Sequence, residues 1–149
     1  MQIALVSMAK TIIQELKNIV GDENVFDGKE VFDRSAIWGT NQPCVAKAVV
    51  SPLNTQELSS ILELCNANRQ SVVPMGGMTN LVQGAVTSVD DIAVSFEKMN
   101  RIEEIDATAH TMTVQAGVTM QEAQAAADQE GLYFPVDIGS RGNCMLGGN

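Results

Sequence analysis

Apolar side chains recur at Ile12, Ile13, Leu16, Ile19 and Val20, and Gly21 follows them. That spacing of three and four predicts an amphipathic helix over residues 8–20 with the glycine as its stop. Residues 21–44 lose the periodicity. Asp22, Asn24, Asp27-Gly28 and Asp33 predict loops there, with Phe32 and Trp38 packed inward as lone aromatics commonly are. Ala46 to Val50 reads as a strand that stops at Ser51-Pro52. Asn54 or Thr55 then caps a second helix, with Glu57 three residues beyond Asn54 as a capping box requires. Its predicted buried face is Leu58, Ile61, Leu62 and Cys65. Ser71 to Pro74 predicts the next strand, so residues 46–74 form a β-α-β unit with parallel strands and a right-handed crossover.

The second half changes period. Asp91 to Phe96 predicts a strand. Asn100 to Asp106 alternates weakly, and Thr111 to Ala116 alternates at Met112, Val114 and Ala116, which predicts a hairpin turning at Ala107 to His110. His110, the chain's one histidine, then sits on a solvated turn. Gly117 ends the strand, and Thr119-Met120-Gln121-Glu122 is a second capping box. The helix it opens runs to Glu130, stops at Gly131, and buries Met120, Ala123 and Ala127.

Two stretches fall outside this alternation. Val72-Val73-Pro74-Met75-Gly76-Gly77-Met78-Thr79-Asn80-Leu81 runs from a strand into a glycine pair. Glycines there admit unusual φ/ψ and close approach of a ligand, and exposed amides can form an anion-binding concavity. An ordinary strand-to-helix turn has the same local appearance. Parallel strands carry ligands beyond their carboxyl ends, where this stretch lies. The other is Phe134 to Gly142, followed by Gly147-Gly148-Asn149. A glycine turn with no element after it predicts that the 149 residues belong to a longer polypeptide.

Composition narrows the function classes. A hydrophobic content of 45% and a charged content of 18% describe a globular chain. A formal net charge of −9 argues against a nucleic-acid partner. Cys44, Cys65 and Cys144 are far apart, with no CxxC and a single histidine, so a structural metal site is not expected. The cysteine pattern suits a reducing compartment. Cys65 belongs to the core, and Cys44 and Cys144 read as free thiols. No run reaches the roughly 18 apolar residues of a membrane span, and the N-terminus lacks the order of a secretory signal. The expected location is the cytoplasm, with peripheral membrane association through a partner left open.

Four ordered segments carry a resemblance: Pro74 to Leu81, Phe96 to Ile102, Val114 to Thr119, and Phe134 to Asn149. Together they resemble the FAD-binding domain of the p-cresol methylhydroxylase/vanillyl-alcohol oxidase type. Within it they are most similar to the group of the glycolate oxidase D-subunit, D-lactate dehydrogenase and D-2-hydroxyglutarate dehydrogenase. The resemblance covers roughly residues 40–149, and leaves 1–39 as an N-terminal helix and loop. It implies an α+β (α/β) fold of two subdomains, a small parallel βαβ layer and the start of a mixed, largely antiparallel sheet, with FAD between them.

The resemblance also implies roles. Met75, Gly76, Gly77, Met78, Thr79, Asn80 and Leu81 wrap the FAD pyrophosphate, mostly through backbone amides. Gly117, Pro135, Asp137, Gly139, Ser140, Gly142, Cys144, Leu146, Gly147 and Gly148 complete the cofactor wall. The family usually has Arg or Gln at 75, Gly or Asn at 78, and Gly or Ser at 80, so Met75, Met78 and Asn80 depart from its pattern. Thr79 stands where relatives with covalent FAD often carry histidine, which implies non-covalent FAD. Arg141 either offers charge near the cofactor or lies on the surface, and Asp137 either orients amides or caps a turn. The implied parent oxidises a D-2-hydroxy acid (lactate, glycolate or 2-hydroxyglutarate) to the 2-oxo acid and passes electrons to a quinone, a flavoprotein or a cytochrome. Its catalytic groups lie in a later cap domain, so no catalytic residue is assigned here. The other reading is a non-catalytic FAD-binding or assembly subunit that works with a partner chain.

Overall fold

The computed structural model describes residues 11–34 and 42–149. Trp38, and the start of the first predicted helix before residue 11, lie outside the described residues. Helix α1 spans Ile12–Val20, capped by the Thr11 side chain accepting from the Gln14 N–H and closed by Gly21 at φ 87°. Where the sequence predicts only loops, a 3₁₀ turn at Asp22–Asn24 leads into strand β1, Val25–Asp27, and a one-turn helix α2, Lys29–Phe32. These pieces are too short for periodicity to show. Pairing creates them, because β1 runs antiparallel to β2 (Ala48–Val50), with Val25 opposite Val50. Phe32 does not pack inward: it is 60% exposed, and Val31 takes the buried position instead.

Helix α3 spans Thr55–Ala67. Asn54 is its cap and accepts from the Glu57 N–H at 2.9 Å, while the Glu57 carboxylate reaches back to the Leu53 N–H at 2.8 Å. Strand β3 (Val72–Met75) and strand β4 (Ile92–Ser95) complete a four-stranded sheet in the order β1-β2-β4-β3. Ala48 and Val72 both stand opposite Ile92, and both pairings are parallel. The crossover from β2 through α3 to β3 therefore skips one position. The two strands are parallel as predicted, but β4 lies between them, because its residues are apolar on both faces and suit the centre of the sheet.

The alternation within β2 and β4 divides the core. Ala48, Val50, Ile92 and Val94 face Leu16 and Val20 of α1 and Ile61 and Cys65 of α3. Val49 and Ala93 face the other way, onto Val31, Cys44, Ala46 and Met75. Full burial of each large aliphatic side chain contributes about 1.5–3 kcal/mol, and Leu16, Ile61 and Ile92 are all completely buried. On α3 the predicted face is one position out at its edge: Leu62 is 46% exposed, and Leu64 packs against the core instead.

A second layer follows. Strands β5 (Ile102–Asp106) and β6 (Thr111–Val114) form the predicted antiparallel hairpin, with His110 exposed on its turn at φ 55°. Helix α4, Met120–Gln129, carries the predicted capping box on Thr119 and Glu122 and buries Met120, Ala123 and Ala127. This parallel-rich sheet beside a second antiparallel sheet is the predicted α/β arrangement. All three cysteines are buried and free, and burial pushes the Cys65 thiol above its ordinary value. Among the described residues no helix is long and apolar enough to cross a membrane.

Candidate functional site

The carboxyl ends of β3 and β4 open onto a cleft of about 280 Å³. One wall is the segment after β3: Gly76, Gly77, Met78, Thr79 and Asn80, then Val82, Gly84 and Ala85. The opposite wall is Cys144, Met145, Gly147 and Gly148, and Phe96 and Ala116 also line it. Among the described residues, no backbone N–H from Gly76 to Gly84 donates a hydrogen bond within the chain. Backbone amides are strong donors that native structures almost always pair. A run of them left free beside a cleft is a nest able to receive an anion. Met78 and Gln83 hold φ 58° and 61° within this run, which turns successive amides in different directions.

The second wall is held by main-chain hydrogen bonds rather than by side chains. Met120 N–H donates to the Cys144 carbonyl at 2.9 Å, Leu146 to Val118 at 2.8 Å, and Gly147 to Ala116 at 2.9 Å. The strip therefore lies along residues 116–120 like an added strand. Gly117 is buried beneath it: a Cβ there would stand 1.9 Å from the Phe96 carbonyl oxygen. At Gly147 a Cβ would meet the Ala116 Cβ at 2.5 Å. These glycines let three backbone segments approach closely.

The structure brings together only part of the expected set. Gly76, Gly77, Met78, Thr79, Asn80, Cys144, Gly147 and Gly148 line the main cleft. Thr79 and Leu81 meet Gly139, Ser140 and Asn143 around an adjoining hollow, where the Leu81 side chain is 75% exposed. The Met75 side chain is buried under the loop, in the core. Gly142 faces a separate hollow beside Gln121. Gly117, Pro135, Asp137 and Leu146 are outside the lining of the main cleft. Arg141 donates to Asp137 at 2.8 Å on the exposed surface, and this bond holds the Asp137 carboxyl below its ordinary value. The pair thus fits the surface reading of Arg141. Val82, Gly84, Ala85, Phe96, Ala116 and Met145 join the wall without a sequence expectation of their own. Phe96 and Ala116 each flank a strand end and lie in segments that carry the family resemblance, signals that could have found them.

A polar cluster lies on the far side of the loop. Glu97 accepts from the Arg34 guanidinium at 3.2 and 3.4 Å and from the Ser51 hydroxyl at 3.0 Å. Arg34 also lies over the Phe26 ring, 4.3 Å from its centroid. This cluster ties the ends of β2 and β4 to the chain leaving α2, and so braces the sheet end that presents the loop. Both partners are part-exposed, so the ion pair itself contributes at most about 1 kcal/mol.

Residues 46–149 match the FAD binding domain. The chain belongs to this FAD-binding family. It is 35% identical over 138 residues to a mitochondrial D-2-hydroxyglutarate dehydrogenase of Arabidopsis thaliana, covering 92% of this chain and 25% of that protein. It is 34% identical over 145 residues to the glycolate oxidase subunit GlcD of Bacillus subtilis, covering 95% of this chain and 30% of that protein. The fold is shared with p-cresol methylhydroxylase at a TM-score of 0.66 and 17% identity, over 81% of this chain and 24% of that one. The chain thus spans between a quarter and a third of the length of these relatives. The predicted family and its α/β fold are those found, and FAD is the family's cofactor.

The residues present fit that group. Unpaired amides suit a diphosphate, glycines on both walls leave room for close approach, and Phe96 and Met145 supply apolar surface for a ring.

Proposed function

We propose that these residues are the N-terminal FAD-binding part of a flavin-dependent oxidoreductase that oxidises a D-2-hydroxy acid (lactate, glycolate or 2-hydroxyglutarate) to the 2-oxo acid. The observation that carries the binding role is the run of free amides from Gly76 to Gly84 at the carboxyl end of β3, facing Cys144 to Gly148. The substrate class is supported by the names of the relatives, which are hydroxyglutarate and glycolate enzymes.

In this reading the chain binds and orients. The amides of residues 76–84 hold the diphosphate oxygens, and the strip at 144–148 limits the depth of the cleft. When bound, FAD supplies a two-electron acceptor for the alcohol carbon. Thr79 cannot form a histidyl link, so the cofactor is held non-covalently. Residues that would position a hydroxy acid over the ring are assigned to polypeptide beyond these 149 residues.

The binding role is tested by the visible spectrum and thermal unfolding of the purified chain with and without added FAD. Bound flavin absorbance and an upward shift of the midpoint are expected. A colourless protein with no shift overturns it. The substrate class is tested by adding each D-2-hydroxy acid anaerobically to the full polypeptide. Loss of flavin absorbance with one of them is expected, and an unchanged spectrum with all overturns the assignment. A second reading, an FAD-binding subunit active only with a partner chain, draws on the word "subunit" in the name of the Bacillus subtilis relative. Flavin reduction that requires a co-purified second chain would favour it.

A further inference from the structure

Asp27 closes strand β1, and Gly28 follows it. This is the one Asp-Gly step in the chain; each of the other aspartates is followed by a residue that carries a side chain. An aspartate ahead of another residue has an electrophile within reach of the next main-chain nitrogen, because closing the side-chain carboxyl onto that nitrogen makes a five-membered ring. A side chain on the following residue crowds the ring, and glycine has none. A fold ordinarily blocks the closure by holding the two residues in a ladder, or by tying the amide and the carboxylate to other partners.

Here the fold leaves the step open. The antiparallel ladder with β2 ends at the pair of Asp27 and Ala48, so the bond to Gly28 lies just beyond it. Among the described residues, the Gly28 N–H donates to no main-chain acceptor. Gly28 stands at φ 57° and ψ −123°, and a Cβ built on it would meet nothing within 4 Å. The Asp27 side chain is 47% exposed, and its carboxylate accepts from the Lys17 ammonium at 3.3 Å through Oδ2. Other aspartates are tied more firmly. The Asp91 carboxylate accepts from the Ser71 hydroxyl and the Ser88 N–H, and the Asp106 carboxylate from the N–H groups of Thr108 and Ala109.

We propose that Asp27 is a modification site, at which the chain isomerises spontaneously to isoaspartate. The Gly28 nitrogen forms a bond to Asp27 Cγ, and a carboxyl oxygen leaves as water with the amide proton and one proton from solvent. Water then opens the succinimide and a proton returns to solvent. Opening at Cγ restores aspartate. Opening at the main-chain carbonyl leaves isoaspartate, whose backbone runs through the side chain and is longer by one methylene. Nothing is oxidised or reduced, and the mass is unchanged. The extra methylene falls at the last pair of the ladder and takes the carboxylate away from Lys17. The product exposes a main-chain carboxylate, the group on which a repair carboxyl methyltransferase acts. Asp27, Ala48, Ile92 and Val72 stand in register at the amino end of the parallel strands, opposite the cleft, so the site is independent of the FAD-binding reading.

The test ages the purified chain for several weeks in warm neutral buffer and digests it with trypsin. The peptide of residues 18–29, cut after Lys17 and Lys29, carries the site. A second peptide of equal mass and different retention is expected, with isoaspartate placed at position 27 by electron-transfer fragmentation. The aged protein is also expected to take up methyl groups from an isoaspartyl methyltransferase. Asp27→Glu keeps a carboxylate for Lys17 but closes only a six-membered ring, and the second peptide is lost in that variant. A synthetic peptide of residues 18–29, aged in parallel, gives the rate of the unconstrained step, which the folded chain is expected to follow closely. An aged chain whose peptide is unchanged while the synthetic one isomerises overturns the proposal, since the fold then protects the step. So does a synthetic peptide that itself stays unchanged, isoaspartate placed at Asp22 instead, or a second peptide that persists in Asp27→Glu.

Discussion

A β-carbon built on Gly77 would stand 1.5 Å from the carbonyl oxygen of Asn143. The two walls of the cleft therefore touch, main chain to main chain, at this pair. No alanine fits unless one wall moves. Gly77→Ala is expected to cost about 1–3 kcal/mol, as overpacking typically does, and to abolish measurable FAD binding by prising residues 143–148 from the loop. At Gly84, in the same loop, an added Cβ would have nothing within 4 Å of it. Gly84→Ala therefore serves as the control and should stay within about 0.5 kcal/mol of the wild type in stability. Thermal unfolding and FAD titration of both variants check this.

Gln83 holds φ 61° with its side chain exposed, and its carbonyl accepts from the Val86 N–H at 3.1 Å. A left-handed conformation costs a side-chain-bearing residue about 1–2 kcal/mol. Gln83→Gly removes that cost and gives back part of it as greater freedom of the unfolded chain. The expected net gain is about 0.5 kcal/mol, read as a small rise in the thermal midpoint. Met78, at φ 58°, is a poorer site for the same change because its side chain packs on the core beside Met75 and Val31.

Asp91 closes the turn before β4. Its carboxylate accepts from the Ser71 hydroxyl and from the Ser88 N–H, and the Ser71 bond is the main cause that holds its pKa below the ordinary 3.8. The folded state therefore binds this proton less readily than the unfolded chain. The stabilisation is fully present above the ordinary value and is lost as pH falls through the lowered one. The carboxylate is largely solvent-screened, so the effect is small. Thermal midpoints measured from about pH 6 down to about pH 3 should fall less steeply for Asp91→Asn than for the wild type.

Much of this architecture is legible in local chemistry. Asn54 with Glu57 and Thr119 with Glu122 mark two helix starts, and both caps form as read. The hairpin at Ala107 to His110 follows from the alternation of Thr111 to Ala116 and a weaker one before the turn. What stays hidden depends on partners far along the chain. Val25–Asp27 is a strand because Ala48–Val50 is beside it, and three residues carry no period of their own. The insertion of β4 between β2 and β3 is a tertiary choice that a β-α-β pattern does not encode. Phe32 and Leu62 are expected inside because they are apolar, yet a one-turn helix and the rim of a helical face leave them exposed.

The site is legible in outline and not in its assembly. Glycine pairs flag both walls, but glycine has two uses here that sequence does not separate. Gly117 is a spacer under the main chain, whereas Gly76 has only the Met145 side chain near it, at 3.8 Å or more. Asn80 is visible as a departure from the family pattern. That its side-chain oxygen is buried, without a partner among the described residues, is a property of the packed loop alone.

Among the described residues, the order β1-β2-β4-β3 puts β3 on the rim of its sheet, with β4 alone beside it. The loop that it feeds therefore hangs from the outermost strand, and no ladder of the sheet has to open for a molecule to reach it. Cofactor loading can thus follow folding as a separate, reversible event. Pro74, in that same strand, lacks an N–H with which to recruit a neighbouring chain. The outer border is left accessible to a small ligand and unattractive to another β-strand.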